Sequence, residues 1–408
     1  MPNEEFSNAA RIAETRTGRD ASHWKSFHPA CGELSFGILS SPGLRGRREW
    51  CEVRRVFGMY VHDLNPVLVR FTEAIQLRWY GLAYLAAFVV GAWLLNVLAK
   101  RKLWVLPPGA AGDFIAAAAI FGVFIGGRVG YMLWYYPKQH GWGWVTEDPL
   151  MLFRVWEGGM ASHGGILGLL IFTWVYAKKK GVSWRGLGDG LCVVSPLGLL
   201  FGRMANFING ELYGRPAEGV AWAVKFPRAL MEQEQAEGVQ ANFDAAMSSA
   251  TGAAESLRGP FEEWIDASAR AGTLGEQRYA NSVLFEQVLP VQRENEAVSQ
   301  AIEPFLLPRH PSQLYEGLLE GALLFAILWW VRTRYPAAPV GILTGLFFVL
   351  YAVFRIFAEQ FREPDSELVL GGMMTSGQFL SLFMIAVGAA FLVAAKLLPG
   401  KAEAAEAG

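Results

Sequence analysis

Charge is scarce in this chain. Only 18% of its 408 residues are Asp, Glu, Lys or Arg, against roughly 25% in a typical soluble domain. The 36 basic and 37 acidic residues nearly cancel, which excludes the concentrated basic footprint of a nucleic-acid-binding protein. Cysteine is scarcer still. Cys31, Cys51 and Cys192 share no CxxC spacing, which argues against a disulfide framework and against a zinc site. Cys192 lies in an apolar run and reads as packing. Residues 1–58 are polar and lack an apolar signal-peptide core. They read as a disordered or surface-bound extension, with Met59 a candidate for the true start. No internal repeat is visible, so the inverted halves of many transporters are missing.

What is present is apolar. Hydrophobic residues make up 52% of the chain, with 27 Phe and 15 Trp. A helix needs about 20 apolar residues to cross the hydrocarbon, and seven segments qualify: 79–99, 112–135, 161–177, 187–207, 312–331, 340–361 and 373–395. Basic residues in the short loops set the orientation. Lys100 to Lys102, Lys178 to Lys180 with Arg185, Arg332 with Arg334, and Lys396 with Lys401 follow the first, third, fifth and seventh segments. The loop at 136–160 carries only Lys138 and Arg154. The expectation is an all-α polytopic membrane protein of seven transmembrane helices, with its N-terminus outside and its C-terminus in the cytoplasm.

The expected organisation follows: an extension over 1–58, helices 1–4 over 59–216, an outer soluble head over 217–308, helices 5–7 over 309–396, and a short cytoplasmic tail over 397–408. The head segment holds 14 acidic and 6 basic residues with Ala-, Gln- and Glu-rich helical runs, and its acidic side reads as a solvated face.

A charged or amide group inside a membrane helix is costly and usually faces a cavity or a partner. Under this topology such groups gather in the outer leaflet. Arg78 and Tyr80 open helix 1, Arg128 lies near the outer end of helix 2, and His163 begins helix 3. Arg203, Asn206 and Glu211 close helix 4. Arg309, His310, Gln313 and Tyr315 lead into helix 5, and Arg355, Glu359 and Arg362 close helix 6. Arg203, Asn206 and Gly210 fall at i, i+3 and i+7, as do Arg355, Glu359 and Arg362 at i, i+4 and i+7, each set on one helical face. Glu359 can pair with either of its arginines. Several arginines against few carboxylates predict an excess of positive charge, suited to a phospholipid phosphate at the headgroup level. Arg78 and Arg309 also fit simple snorkelling. Arg128 sits among glycines that let helices close around it. His163 stands between glycine pairs, where backbone can approach a ligand.

Together these residues resemble the prolipoprotein diacylglyceryl transferase family. The matching strings are Arg78-Trp79-Tyr80-Gly81, Gly126 to Tyr131, His163-Gly164-Gly165, Gly202 to Arg215, Arg309 to Glu316, Phe354-Arg355 with Glu359, and Phe361 to Asp365. Gly372-Met373 and Ser376-Gly377-Gln378 also fit, so the resemblance runs in order over about 60–395. Three departures stand out. Residues 1–58 are extra, Ala205 replaces a glycine, and the stretch from Pro227 to Pro308 is normally short.

The resemblance implies transfer of the sn-1,2-diacylglyceryl group of phosphatidylglycerol to the lipobox cysteine thiol of prelipoproteins, with release of glycerol phosphate. It implies a multi-pass protein of the bacterial inner membrane whose site faces the outer leaflet. It calls for no cofactor and no metal. It carries over His163, Arg203, Arg355 and Glu359 as catalytic residues, with His163 or a nearby carboxylate taking the thiol proton. It carries over Arg203, Asn206, Tyr80, Glu211, Gly214 and Arg362 for the phosphatidylglycerol headgroup. The competing reading is a transporter or flippase that binds anionic lipid headgroups. It would need polar groups near the midplane and at both faces.

Overall fold

In the computed structural model, the residues that can be described are 59–72, 76–154, 159–231, 255–270, 274–294, 296, 299, 302–303, 306–363 and 374–398. The 1–58 extension, most of the C-terminal tail, the middle of the head segment, and the strings at 364–365 and 372–373 lie outside them.

The described residues are mostly helical, with two small two-stranded antiparallel sheets and no closed one. A hairpin of β1 (Val67–Arg70) and β2 (Gln76–Arg78) leads into α1 (Trp79–Lys100). Then come α2 (Ala110–Lys138), α3 (Ser162–Lys180) and α4 (Trp184–Ile208). β3 (Val224–Lys225) precedes the head helices α5 (Glu255–Arg270) and α6 (Leu274–Val283), and α6 continues through a π turn to Glu294. β4 (Pro308–Arg309) pairs with β3, and α7 (Ser312–Arg334), α8 (Ile342–Ala358) and α9 (Ser376–Leu397) complete the bundle.

Every segment expected to cross the membrane is helical, but five of them are long and apolar enough to do so: α1, α2, α4, α7 and α9. α3 loses apolar length to Ser162, His163 and the lysines of its last turn, and α8 has only 17 residues. α8 ends at Ala358, short of the expected 361, so Arg362 lies beyond the helix and is held by a backbone bridge to Gly214.

α4 is the central helix, packed on α1, α3, α7 and α8. Leu94, Leu95 and Leu98 meet Leu187, Val193, Val194, Leu324, Leu328 and Leu343 in its core. The outward faces remain apolar, with Trp93, Phe121, Ile171, Trp174, Phe383 and Val393 exposed. An apolar surface on that scale needs lipid against it.

α2 and α3 meet backbone to backbone. A Cβ on Gly126 would lie 2.6 Å from the Gly164 carbonyl oxygen, and one on Gly130 would lie 2.5 Å from the Gly164 Cα. Gly122 and Gly168 continue this small-residue ladder, the usual device for close helix packing in membranes. The glycine after His163 therefore serves helix contact.

Away from this region, side chains fasten the helix ends. Asp189 accepts from the Gly341 and Thr344 amides at 2.6 and 2.8 Å, which places a carboxylate at the start of α8. Arg185 donates to the Ala394 and Leu398 carbonyls at the end of α9. The head segment builds a core of its own from Leu230, Trp264, Val283, Leu284, Val288, Leu289, Ile302 and Leu306.

Candidate active site

Two carboxylates hold the centre of the site. Glu316 and Glu320 lie on α7 and are fully buried. The π-helical stretch Gly317–Leu323 widens the turn around them, a feature frequent at functional sites. Gly321 brings α7 against α4, where a Cβ would lie 2.7 Å from Leu200 Cβ. That contact puts Arg203, one turn along α4, beside both carboxylates.

Arginines converge on Glu316 from three directions. Arg203 Nε is 2.9 Å from Glu316 Oε2. Arg355, on α8, donates through NH1 to Glu316 Oε1 at 2.5 Å and lies 2.9 Å through NH2 from Glu359. Arg362 NH1 reaches both Glu316 oxygens at 3.1 and 3.3 Å. Glu320 stands further off, 3.6 Å from Arg203 and 3.7 Å from Arg355, and neither of its oxygens accepts a hydrogen bond. The expected excess of positive charge is therefore absent from this cluster, where three arginines face three carboxylates. Glu359 pairs with Arg355, while Arg362 turns to Glu316.

A second set adjoins the first on α4. Asn206 Nδ2 donates to Glu211 Oε1 at 2.8 Å and Asn209 Nδ2 does so at 3.2 Å. Arg228 lies 3.4 Å from the other Glu211 oxygen, and its guanidinium sits 4.4 Å from the Phe285 ring of the head. Gln313 donates to the Glu211 carbonyl at 2.6 Å. Gly214 lies at a crossing of chains, where a Cβ would come 2.3 Å from the Phe361 oxygen and 2.6 Å from the His310 oxygen.

A cavity of about 550 Å³ opens between α1, α2 and α4. Tyr80, Ser162, Arg203 and Asn206 line its polar part. Phe88, Gly91, Ile115, Leu191 and Val194 line the rest. Such a lining suits a molecule with a charged head and an apolar tail. Tyr80 also packs on Tyr84, with ring centroids 5.2 Å apart.

The remaining polar residues lie around the cluster and the cavity. His163 is exposed in the first turn of α3, its Nδ1 3.4 Å from the Tyr135 hydroxyl. Its neighbour Ser162 lines the cavity. Arg128 is buried and donates to the Met151, Leu152 and Gly159 carbonyls, tying down the loop before α3. Arg309 is buried rather than snorkelling, 3.1 Å from Glu363 and 4.9 Å from the Tyr213 ring. Arg78 donates to Gln76 at 3.4 Å. His310 Nδ1 lies 3.2 Å from the Tyr315 hydroxyl, which accepts from Trp222 Nε1 at 2.6 Å. Burial holds His310 below the ordinary imidazole range.

Glu316 and Glu320 are absent from the residues that sequence reasoning assigned to the site. The signal was available, since two carboxylates four apart in an apolar run are intramembrane charges by the rule applied to the arginines.

Residues 66–394 match the model of a family described as prolipoprotein diacylglyceryl transferase. Curated relatives carry the name phosphatidylglycerol–prolipoprotein diacylglyceryl transferase. The chain is 38% identical to that of Bdellovibrio bacteriovorus over 344 residues, covering 82% of this chain and 93% of the relative. It is 37% identical to that of Ralstonia pickettii over 342 residues, covering 82% and 95%, and 35% identical to that of Azospirillum brasilense over 340 residues, covering 83% and 94%.

Proposed function

The chain belongs to the prolipoprotein diacylglyceryl transferase family and transfers a diacylglyceryl group from phosphatidylglycerol to prolipoproteins; from that premise we propose that its arginine–glutamate cluster and the adjoining cavity are where the transfer occurs. One observation carries the assignment. Arg203 belongs both to the cluster and to the polar end of a mostly apolar cavity. A lipid with its tails among Phe88, Leu191 and Val194 would bring its phosphate to Arg203 and Asn206.

In this reading the lipobox cysteine sulfur attacks the diacylglyceryl carbon that bears the phosphate ester. A carbon–sulfur bond forms, the carbon–oxygen bond breaks, and the electron pair leaves with glycerol phosphate. The departing oxygen gains negative charge, which donors fixed beforehand stabilise. Arg203 and Arg355 supply that stabilisation, with Arg362 and Glu359 holding the arrangement. Asn206, Glu211 and Tyr80 orient the headgroup, and Gly214 keeps the Arg362 strand close. An unperturbed thiol has a pKa of about 8.5 and needs a base at neutral pH. His163, beside the cavity, is the proposed acceptor. Nothing in the arrangement favours transport.

Purified protein incubated with phosphatidylglycerol and a lipobox peptide is expected to add one diacylglyceryl mass to the peptide. A peptide whose cysteine is replaced by serine should gain none. Mass gain on the serine peptide, or none on either, would remove the thiol-transfer reading.

The basic clusters at the C-terminal ends of α1, α3, α7 and α9 support seven crossings of the bacterial inner membrane. The same bias supports a site that faces the outer leaflet. Reporter fusions should accordingly report Lys180 and the C-terminus inside and Arg270 outside. Arg270 inside would reverse the orientation and put the site at the cytoplasmic leaflet.

A further inference from the structure

Arg203, Arg355 and Arg362 carry three positive charges, and Glu316, Glu320 and Glu359 carry three negative ones when all are ionised. Each of these carboxylates is at least nine-tenths buried. A phosphodiester monoanion docked on Arg203 and Arg355 would leave this enclosed group with one net negative charge, and an uncompensated buried charge is costly. One carboxylate has to become neutral. Glu316 accepts from Arg355 and Arg362 and lies 2.9 Å from Arg203, and Glu359 lies 2.9 Å from Arg355. Glu320 has the weakest hold on its charge. It is fully buried, both oxygens lack a hydrogen-bond donor, and the two arginines it faces lie beyond hydrogen-bond reach.

We propose that Glu320 takes up a proton when the phosphatidylglycerol phosphate binds, so that donor-lipid binding is coupled to protonation of this one carboxylate. The inference rests on the phosphate site given under Proposed function. The charged and titratable groups around Glu320 are Arg203 from α4, Arg355 and Tyr351 from α8, Arg362 beyond α8, and Glu316 on its own helix. The arginines are cationic at all working pH values and Glu316 is held by three of them, so Glu320 is the group free to change. A protonated Glu320 also gains an O–H, which can donate to a phosphate oxygen where a carboxylate would repel it.

The sign follows from linkage. A complex that holds more protons than the free protein binds more weakly as pH rises, by up to about tenfold per pH unit for one proton. The test is calorimetric titration of the detergent-solubilised protein with dioctanoyl phosphatidylglycerol, in HEPES and in Tris, from pH 6.5 to 9. The two buffers differ in ionisation enthalpy, so the difference in heat counts protons. Wild-type protein should take up a proton on binding, most fully at the alkaline end, and lose affinity as pH rises. Glu320→Gln, already neutral, should bind without proton uptake, with a flat pH profile, and more tightly than wild type at pH 9. Glu363→Gln, which changes a carboxylate paired with Arg309 outside the cluster, should keep the proton uptake. Binding by wild type without proton uptake overturns the proposal with no variant needed, as does proton uptake that persists in Glu320→Gln. Failure of the phosphate site itself would read differently. In that case Arg203→Ala and Arg355→Ala would bind the lipid as wild type does.

Discussion

Replacing Arg203 or Arg355 with Lys is expected to lower turnover by about 10²–10³-fold, the typical cost of removing one preorganised donor at a developing negative charge. Charge is retained in both variants, so the loss isolates geometry. Arg355 uses its fork fully, with NH1 on Glu316 and NH2 beside Glu359. Arg203 presents Nε to Glu316 and NH2 toward Glu320. A lysine ammonium is a compact point charge and cannot span two carboxylates while offering a planar edge to a phosphate. Steady-state rates with phosphatidylglycerol and a lipobox peptide would measure this, alongside thermal unfolding to verify the fold. Near-normal turnover in both lysine variants would refute the phosphate-clamp assignment.

The second large effect is expected at Glu316. Changing it to Gln keeps shape and removes the one charge that all three arginines share. Breaking a buried ion pair from one side typically costs about 3–5 kcal/mol, because the partner is left charged and uncompensated. Here three partners are left. Glu316→Gln should therefore lower the thermal transition and abolish most turnover together, while Glu363→Gln should leave turnover intact. Glu363 is exposed on one side and pairs with Arg309, away from the cluster. If Glu316→Gln melts and turns over as wild type, the arginines owe their positions to other contacts.

Much of this site could be read from the chain because membrane helices leave polar residues little freedom. Arg203, Asn206, Arg355 and Glu359 drew attention as costly groups at the ends of apolar runs, and their spacing on α4 and α8 carries into the structure. The family was legible for the same reason. Three features were not. The charge balance was misjudged because Glu316 closed a recognised string and Glu320 lay in the apolar run after it, so neither was weighed against the arginines. Arg362 was assigned to a helical face, but α8 stops four residues earlier, and what holds Arg362 is a pairing with Gly214, nearly 150 positions away. No local periodicity encodes such a pairing. The glycines at 126, 130, 164 and 168 could be read as ligand approach or as helix contact, and only the opposed backbones decide. The link from Phe285 through Arg228 to Glu211 depends on a tertiary contact between the head and α4, so sequence patterning gave no hint of it.

The glycine crossings bear on how such a molecule changes over generations. At Gly126, Gly130, Gly164 and Gly214 a single methyl group would strike backbone, which cannot swing aside as a side chain can. Selection would purge alanine at these positions as firmly as it purges lysine at Arg203, though none of the four needs to touch a lipid or a thiol. Invariance across a lineage would thus mix two kinds of residue, those that perform the transfer and those that let the chain pass close enough to itself. A crowded crossing fails through the fold, a missing guanidinium through the transfer itself.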